Sequence, residues 1–345
     1  FEFTFGGLLQ VWAVPFLGND ARRSLGAPVD TEGFVLRRAR FGVRGSILTH
    51  TTFELVWDFV DSHLDDSSTI STGRVYEAEI GYRRLEFAEL AFGVRRIPFA
   101  RADLAPSWGH QMTDVPFAFR DWHFSRSAFR TIVPPRSVGA TISGRLPMTR
   151  YAIGLYNASG SPNAGPDAAG FIGALRLEVA PMGSVTDYEG PRLPQDEHYD
   201  TPRFALGVGS YLWGDPVGNQ LGLTGDLVFQ WNRIYLEAAF VWSAYRPDES
   251  GFDPSSMVLS DTTQIAFHAQ LGAWIVPGYL ELATRFELWN PRTEDDDRSL
   301  TALRGALNYY FIGHRIKAQL EYTARIESGA SVEDDQLVLA LSLRM

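Results

Sequence analysis

The sequence predicts an all-β fold, a transmembrane antiparallel β-barrel of 16 strands that takes up residues 1–345 as one domain. Two observations lead to this fold class. Apolar and polar residues alternate with a period of two along nearly the whole chain, which is the pattern of strands with one apolar face. The connections between these segments alternate between short turns and longer polar loops, as in bacterial outer-membrane barrels.

The alternation is clearest in three segments. In Phe53–Phe59 the odd positions are large and apolar, while Glu54 and Asp58 occupy the other face. The same pattern runs through Ile234–Trp242 and Ile316–Ala324. A soluble sheet with so many apolar faces would need a second layer to bury them, whereas a membrane barrel turns them toward lipid.

Sixteen segments show this alternation, and an even count lets both chain termini lie on one side of a membrane. The predicted strands cover residues 3–16, 34–48, 51–62, 73–85, 87–99, 136–147, 149–160, 170–182, 202–214, 219–231, 233–246, 262–276, 279–291, 300–312, 315–327 and 335–345. Two connections break the alternation of lengths. Residues 183–201 are long where a turn is expected, and residues 215–218 are short where a loop is expected. One of the strands beside them is therefore open to revision.

Composition excludes several other classes of protein. The chain has 31 basic and 41 acidic residues, and the net charge of −10 argues against a nucleic-acid partner. It has no cysteine, which excludes disulfides and thiolate-bound zinc. No stretch approaches the roughly 18 apolar residues of a membrane helix, and a mean hydropathy of −0.11 fits alternating strands. No signal peptide is evident, so the barrel implies that one was removed before residue 1.

Aromatic residues cluster near the predicted strand ends. This is typical of the girdles at the two membrane–water interfaces; cross-strand pairing in a soluble sheet is the alternative. The predicted girdle consists of Trp12, Trp57, Tyr82, Tyr151, Tyr211, Trp213, Trp231, Trp242, Tyr245, Trp274, Tyr279, Trp289, Tyr309, Tyr310 and Phe311.

A row of arginines lies on the polar face of the second predicted strand. Arg38, Arg40 and Arg44 share the lumen-facing parity, whereas Val35 and Arg37 have the lipid-facing parity, with Arg37 expected at the interface. Because arginines in pores select anions, the row indicates a weak anion preference. A solvated wall of ion pairs is the alternative. The predicted anion pathway consists of Arg38, Arg40, Arg44, Arg95, Arg101, Arg120, Arg126, Arg130 and Arg145.

The longest gap between predicted strands is residues 100–135, after the fifth strand. Loops of this length in a compact fold are usually functional. The segment is aromatic and apolar enough to pack, and we expect it to fold into the lumen and narrow the pore. Its arginines exceed its acids, Asp103, Asp114 and Asp121, by one charge between residues 101 and 130.

Acidic residues cluster in the predicted outer loops. Asp65 and Asp66 lie in one loop and Asp295 and Asp296 in another. A solvated, repulsive rim is the main interpretation, and these four are weak candidates for divalent-cation ligands, so no metal site is predicted. No enzyme motif and no cofactor site is found. The pair Gly207 and Gly209 lies within a predicted strand and lacks the later glycine of a nucleotide loop.

Three stretches resemble a known family. They are residues 34–45 (FVLRRARFGVRG), residues 92–99 (FGVRRIPF) and residues 126–136 followed by Gly139. They are similar to the Arg-rich second strand, the strand before the constriction loop and the return from that loop in the phosphate-selective porins O and P. The resemblance implies a 16-stranded homotrimer with a constriction in the third loop. The chain departs from the family in having a single lysine, Lys317, in carrying many inward carboxylates, and in not ending in Phe.

The leading functional prediction is a porin of the bacterial outer membrane for passive diffusion of small hydrophilic solutes, leaning toward phosphate-like anions. Its neighbours would be outer-membrane lipid, lipopolysaccharide and two further copies of itself. One alternative is a narrow or plugged barrel that anchors a partner complex. The other is a soluble all-β enzyme or carbohydrate-binding sandwich.

Overall fold

Sixteen antiparallel strands close into a barrel. Each strand pairs with its neighbours in sequence, and β1 also pairs with β16. The predicted fold class is therefore confirmed. The computed structural model describes residues 2–18, 32–60, 73–85, 87–119, 131–158, 170–196, 199–216, 218–248, 261–293, 299–328 and 335–345.

The strands differ from the predicted ones mainly at their ends. They are β1 Glu2–Leu17, β2 Gly33–Ile47, β3 Thr51–Asp58, β4 Arg74–Leu85, β5 Ala88–Arg95, β6 Ser137–Leu146, β7 Thr149–Asn157, β8 Phe171–Val179, β9 Arg203–Asp215, β10 Gly218–Trp231, β11 Ile234–Pro247, β12 Thr262–Val276, β13 Leu280–Asn290, β14 Leu300–Ile312, β15 Ile316–Glu327 and β16 Gln336–Arg344. β5 ends four residues early, at Arg95, three residues before Pro98, which has no N–H for the ladder. Both irregular connections are real, because the strands beside them, β8, β9 and β10, are all present.

The two faces of the wall differ in exposure as the alternation requires. Along β9 the residues Ala205 and Tyr211 are buried, whereas Leu206, Val208 and Leu212 are exposed. The exposed face is apolar on every strand that shows this alternation, so it is suited to contact with lipid. No helix in the described part of the chain is long and apolar enough to cross a membrane.

The stability cost of an arginine introduced on this outer face tests whether lipid surrounds the face. We expect Val208→Arg, near the middle of β9, to destabilise the barrel in a bilayer by about 2–4 kcal/mol, because the guanidinium would sit at the midplane. Val179→Arg, at the end of β8, should cost about 0–1 kcal/mol because its guanidinium reaches the interface. Urea unfolding in lipid vesicles measures both. Equal costs at the two positions would argue against a bilayer across the strand centres.

Two expectations about side-chain direction are wrong. The β1–β2 register slips by one residue between Gln10 and Val11, which leaves Arg37 as the extra residue of a β-bulge. The bulge turns Arg37 inward, where it forms an ion pair with Asp114, and beyond it Val35 packs on the buried Trp12. Neither residue therefore keeps the lipid-facing parity.

The aromatic girdle is smaller than predicted. Exposed rings near strand ends include Tyr82, Trp231, Tyr279, Tyr309 and Phe311. Several others have the opposite parity and are buried on the inner side of the wall, so they cannot meet headgroups. The buried members of the predicted set are Trp12, Tyr211, Tyr245, Trp274, Trp289 and Tyr310.

Candidate functional site

The residues that follow β5 contact the far wall of the barrel. We call residues 96–119 segment A; it contains the short helix α1, Arg101–Leu104. Its backbone N–H groups at Thr113 and Phe117 donate to Glu321 and Glu287, at 2.6 and 2.7 Å. Its carbonyl at Gln111 accepts from the side-chain amide of Asn308 at 2.9 Å. These partners lie on β13, β14 and β15, across the strand order from β5.

An apolar cluster fills the space between segment A and the wall. Phe99 meets Tyr211 edge-on, with ring centroids 4.8 Å apart, and Phe117 packs on Trp289. The backbone of Phe99 approaches β9 at Gly209, where a Cβ would collide with the Phe99 carbonyl oxygen. The Gly207–Gly209 pair is thus partly explained by this close approach.

Three of the nine arginines predicted to line the pathway, Arg38, Arg40 and Arg101, are paired near segment A. Asp114 accepts from Arg38 at 2.8 Å and from Arg37 at 2.7 Å. Arg40 donates to Asp58 at 2.7 Å and to the hydroxyl of Ser107 at 2.9 Å. The contacts to Asp114 and Ser107 join segment A to β2, so they contribute to holding the segment in place.

Arg101 and Asp103 lie in α1. The Arg101 guanidinium is 3.6 Å from Glu178 and 3.8 Å from Glu237. Burial lowers the pKa of Arg101, but Tyr235 and these two carboxylates outweigh burial and raise it. Burial also lowers the pKa of Arg96, but the neighbouring Tyr76 and Asp103 outweigh burial and raise it. Both arginines are therefore held in their charged form.

A second segment enters from the side of the barrel that carries the short turns. We call residues 180–196 segment B; it follows β8. Trp274 Nε1 donates to the carbonyl of Arg192 at 2.8 Å, and Leu193 packs with Trp274 and Tyr310. Pro194 lies against Gly278 in the turn between β12 and β13. Segment B therefore crosses from β8 to the wall at β12–β14.

Segments A and B meet at Glu189, which is 1% exposed. Its backbone N–H donates to the carbonyl of Gly109 at 2.9 Å. Its carboxylate lies 2.9 Å from His110 Nδ1, accepts from the Gln111 N–H at 3.0 Å, and accepts from Arg285 of β13 at 2.9 Å. One carboxylate thus joins both segments to the barrel wall.

The charges at this junction follow from its partners. Burial alone would raise the pKa of Glu189, but the charge of Arg285 and the hydrogen bonds from His110 and the Gln111 N–H hold it below its usual range. Burial lowers the pKa of His110, and the nearby Glu189 opposes that shift without reversing it. Gly109 permits the close approach, since a Cβ there would lie 2.6 Å from the Cβ of Tyr188. Glu189 is therefore an ionised, buried carboxylate.

The inner face of the barrel is covered unevenly. On β10–β15 the inward polar side chains are almost fully buried, including Glu237, Glu281, Arg304 and Lys317. On β2–β7 part of the inner face is buried as well, including Arg38, Asp58, Thr141 and Tyr156, but a set of charged inward side chains stays partly open to water. These are Arg44, Glu54, Glu77, Glu79, Arg83, Glu89, Arg95, Arg145 and Arg150. The water-accessible part of the described lumen thus runs along β2–β7.

The residues predicted from the sequence lie in several places. Arg44, Arg95 and Arg145 lie on the open wall, with Arg95 3.4 Å from Glu79. Arg38, Arg40, Arg101 and Asp114 lie in the buried pairs above. Asp103 lies in α1 near Arg96. The remaining residues lie outside the described ranges: Arg120, Asp121, Arg126, Arg130, Asp65, Asp66, Asp295 and Asp296. Within the described ranges, no group of three or more His, Asp or Glu could hold a metal ion.

Sequence reasoning did not single out Glu189, Asp187 or Arg150. The signal that could have found the first two is the unexpected length of residues 183–201 on the turn side. Because turns on that side are short in such barrels, a long polar and proline-containing connection needs a place to pack.

The closed 16-stranded antiparallel wall defines the class of outer-membrane β-barrels, and comparison with known proteins supports this fold. No family model and no curated protein sequence matches the chain. Solved structures match along its whole length. The outer membrane channel DcaP of Acinetobacter baumannii has a TM-score of 0.63 at 12% identity, covering 100% of this chain and 97% of that one.

Two further structures are similar to this chain. OmpT of Vibrio cholerae with loop L8 deleted has a TM-score of 0.62 at 10% identity, covering 100% and 99% of the two chains. OmpF of Salmonella typhi in complex with daunomycin has a TM-score of 0.58 at 12% identity, covering 99% and 97%. These likenesses show the general porin fold. The narrower resemblance to the phosphate-selective porins stays a prediction.

Proposed function

We propose that this chain is a porin of the bacterial outer membrane and passes small hydrophilic solutes by passive diffusion, with no catalytic step. The observation that carries the proposal is the asymmetric lumen, which is filled along β10–β15, whereas along β2–β7 charged inward side chains remain accessible to water. The apolar outer face fits a surrounding of lipid and lipopolysaccharide. Segment A constricts the path.

The selectivity that we propose is a shallow preference for anions. The described open wall and its rim carry six arginines and five carboxylates, and rings of arginine favour anions in pores. The arginines are Arg44, Arg83, Arg95, Arg136, Arg145 and Arg150; the acids are Glu54, Glu77, Glu79, Glu89 and Asp187. Since the excess is one charge and most arginines have a carboxylate partner, we propose no specificity for phosphate.

We further propose a homotrimer. Its support is the exposed phenylalanines on the outer face of β1–β5, among them Phe3, Phe5, Phe41 and Phe92, where Phe5 stacks on Phe41. A Vibrio cholerae OmpT structure of the same fold is described as a trimer form.

Planar-bilayer recording of the purified full-length protein tests these statements together. We expect stable channels that insert in groups of three equal steps, and a reversal potential in a KCl gradient of the sign for modest anion preference. Protein that has been unfolded by heating in detergent is the negative control. Absence of stable channels from folded protein would overturn the porin proposal, single steps would overturn the trimer, and a cation-selective potential would overturn the anion preference.

A plugged barrel that anchors a partner complex is the second candidate. The observation in its favour is that segments A and B together fill one side of the lumen and share the buried Glu189. It predicts folded protein without conductance that co-purifies with a partner in fixed stoichiometry. Stable conductance of the protein alone decides against it.

A further inference from the structure

Asp187, near the middle of segment B, lies between two arginines of the open wall. Its carboxylate accepts from Arg150 at 2.6 Å and lies 3.9 Å from the guanidinium of Arg145. The side chains of Asp187 and Arg145 are 64% and 60% exposed. This group is therefore in contact with water, unlike the buried pairs around Glu189.

The strand register places the two arginines at the turn-side mouth of the lumen. Arg145 and Arg150 are directly opposite each other on β6 and β7, next to the turn at residues 147–148. Arg150 is also directly opposite Glu178 on β8. Glu178 contacts Arg101 of segment A, so this row of side chains points inward. Both guanidiniums thus face the entrance of the open path.

The backbone on both sides of Asp187 is held in place. The N–H of Thr186 donates to the side chain of Gln230 at 3.0 Å, and the amide of Gln230 donates to the carbonyl of Gly190 at 2.9 Å. Arg101 donates to the carbonyl of Thr186. Segment B therefore presents Asp187 at a defined position beside the arginines, as a selectivity residue requires.

We propose that Asp187 sets the charge selectivity of the pore at its turn-side mouth by offsetting the charges of Arg145 and Arg150. The inference rests on the proposed porin function. Glu178 also lies 3.9 Å from Arg150, but it is buried and shared with Arg101 and Arg176. Asp187 is therefore the exposed carboxylate that offsets the charges of the two arginines. Without it, two guanidiniums would face the solute path and favour anions.

The test is the Asp187→Asn variant in planar bilayers. We expect the ratio of chloride to potassium permeability to rise by up to about fivefold, the factor that corresponds to about 1 kcal/mol for two unit charges 4 Å apart in water. The shift should shrink in 1 M salt, where the Debye length falls to about 3 Å. Asp200→Asn is the matched control, because it removes the same charge from the same connection beside Trp231, outside the arginine pair.

The reverse variant completes the test. Arg145→Gln with Arg150→Gln should move selectivity toward cations, and adding Asp187→Asn to that pair should have a smaller effect than it has alone. Channels in which Asp187→Asn and Asp200→Asn shift the reversal potential equally would overturn this inference and leave the porin function intact. A wild type that forms no channels would instead overturn the porin function.

Discussion

Glu189→Gln should open the lumen and destabilise the protein. The substitution leaves the guanidinium of Arg285, which is fully buried, without its close carboxylate, and it weakens the junction that holds segments A and B together. Breaking a buried ion pair typically costs about 3–5 kcal/mol. We expect the lower end, because Glu287 lies 3.7 Å from Arg285 and remains. The barrel should still form, because the ladder hydrogen bonds of its wall do not involve Glu189. Single-channel conductance should rise, because the two segments that fill the lumen are held together less firmly.

The measurements are single-channel recording and urea unfolding in lipid. Asp200→Asn is the control for the loss of one carboxylate and should leave the conductance and the stability unchanged.

The dependence of stability on low pH provides a second check. Because the folded-state pKa of Glu189 is lowered, its contribution to stability is present above the unfolded pKa of about 4.3 and is lost as the pH falls below it. The variant should therefore lose less stability than the wild type below about pH 4. Wild-type conductance and stability in Glu189→Gln would contradict the role of this junction.

Asp114→Asn should release segment A from β2. Asp114 is buried and accepts from both Arg37 and Arg38, so the change leaves two guanidiniums without their shared carboxylate. We expect a loss of about 3–5 kcal/mol, as for other buried charges whose partner is removed. Arg38 keeps its hydrogen bond to Gln10, and Arg285 keeps its hydrogen bond to the backbone carbonyl of residue 114, so the barrel itself should still form.

Two readouts separate release of the segment from general destabilisation. Trypsin should cleave folded Asp114→Asn after Arg101, which is buried in the native protein, and the current should fluctuate between levels. Glu2→Gln, an exposed acid at the start of β1, should behave as wild type in both. If Asp114→Asn resists trypsin and conducts quietly, the ion pairs to β2 are not what holds segment A.

The wall of the barrel could be read from the sequence because it follows from a local pattern. Period-two alternation depends only on which neighbouring residues are apolar, and strands such as β12 and β14 begin and end at the predicted residues. For Arg37 and Val35 the prediction failed because β2 departs from this period. The bulge at Arg37 reverses the parity of everything before it in β2, and a bulge leaves no mark in the order of apolar residues.

The candidate site was predictable only in part. Arg38 and Arg40 were expected inside the barrel and are there, but parity alone could not say that Asp114 and Asp58 would take up their charges. Asp114 is 76 residues from Arg38 in sequence. Pairs so distant in sequence form only when the closed wall brings them together. The face on which a side chain lies can therefore be predicted from neighbouring residues, whereas its ion-pair partner cannot.

Segment B shows the same division. The sequence by itself determined the strands, their order and the unusual length of the connection after β8. Only the tertiary structure decided that Glu189 within it meets Arg285 and His110, and that Asp187 faces Arg145 and Arg150. The physical reason is that strand formation depends on neighbours in the chain, whereas the filling of the lumen depends on which side chains barrel closure places opposite each other.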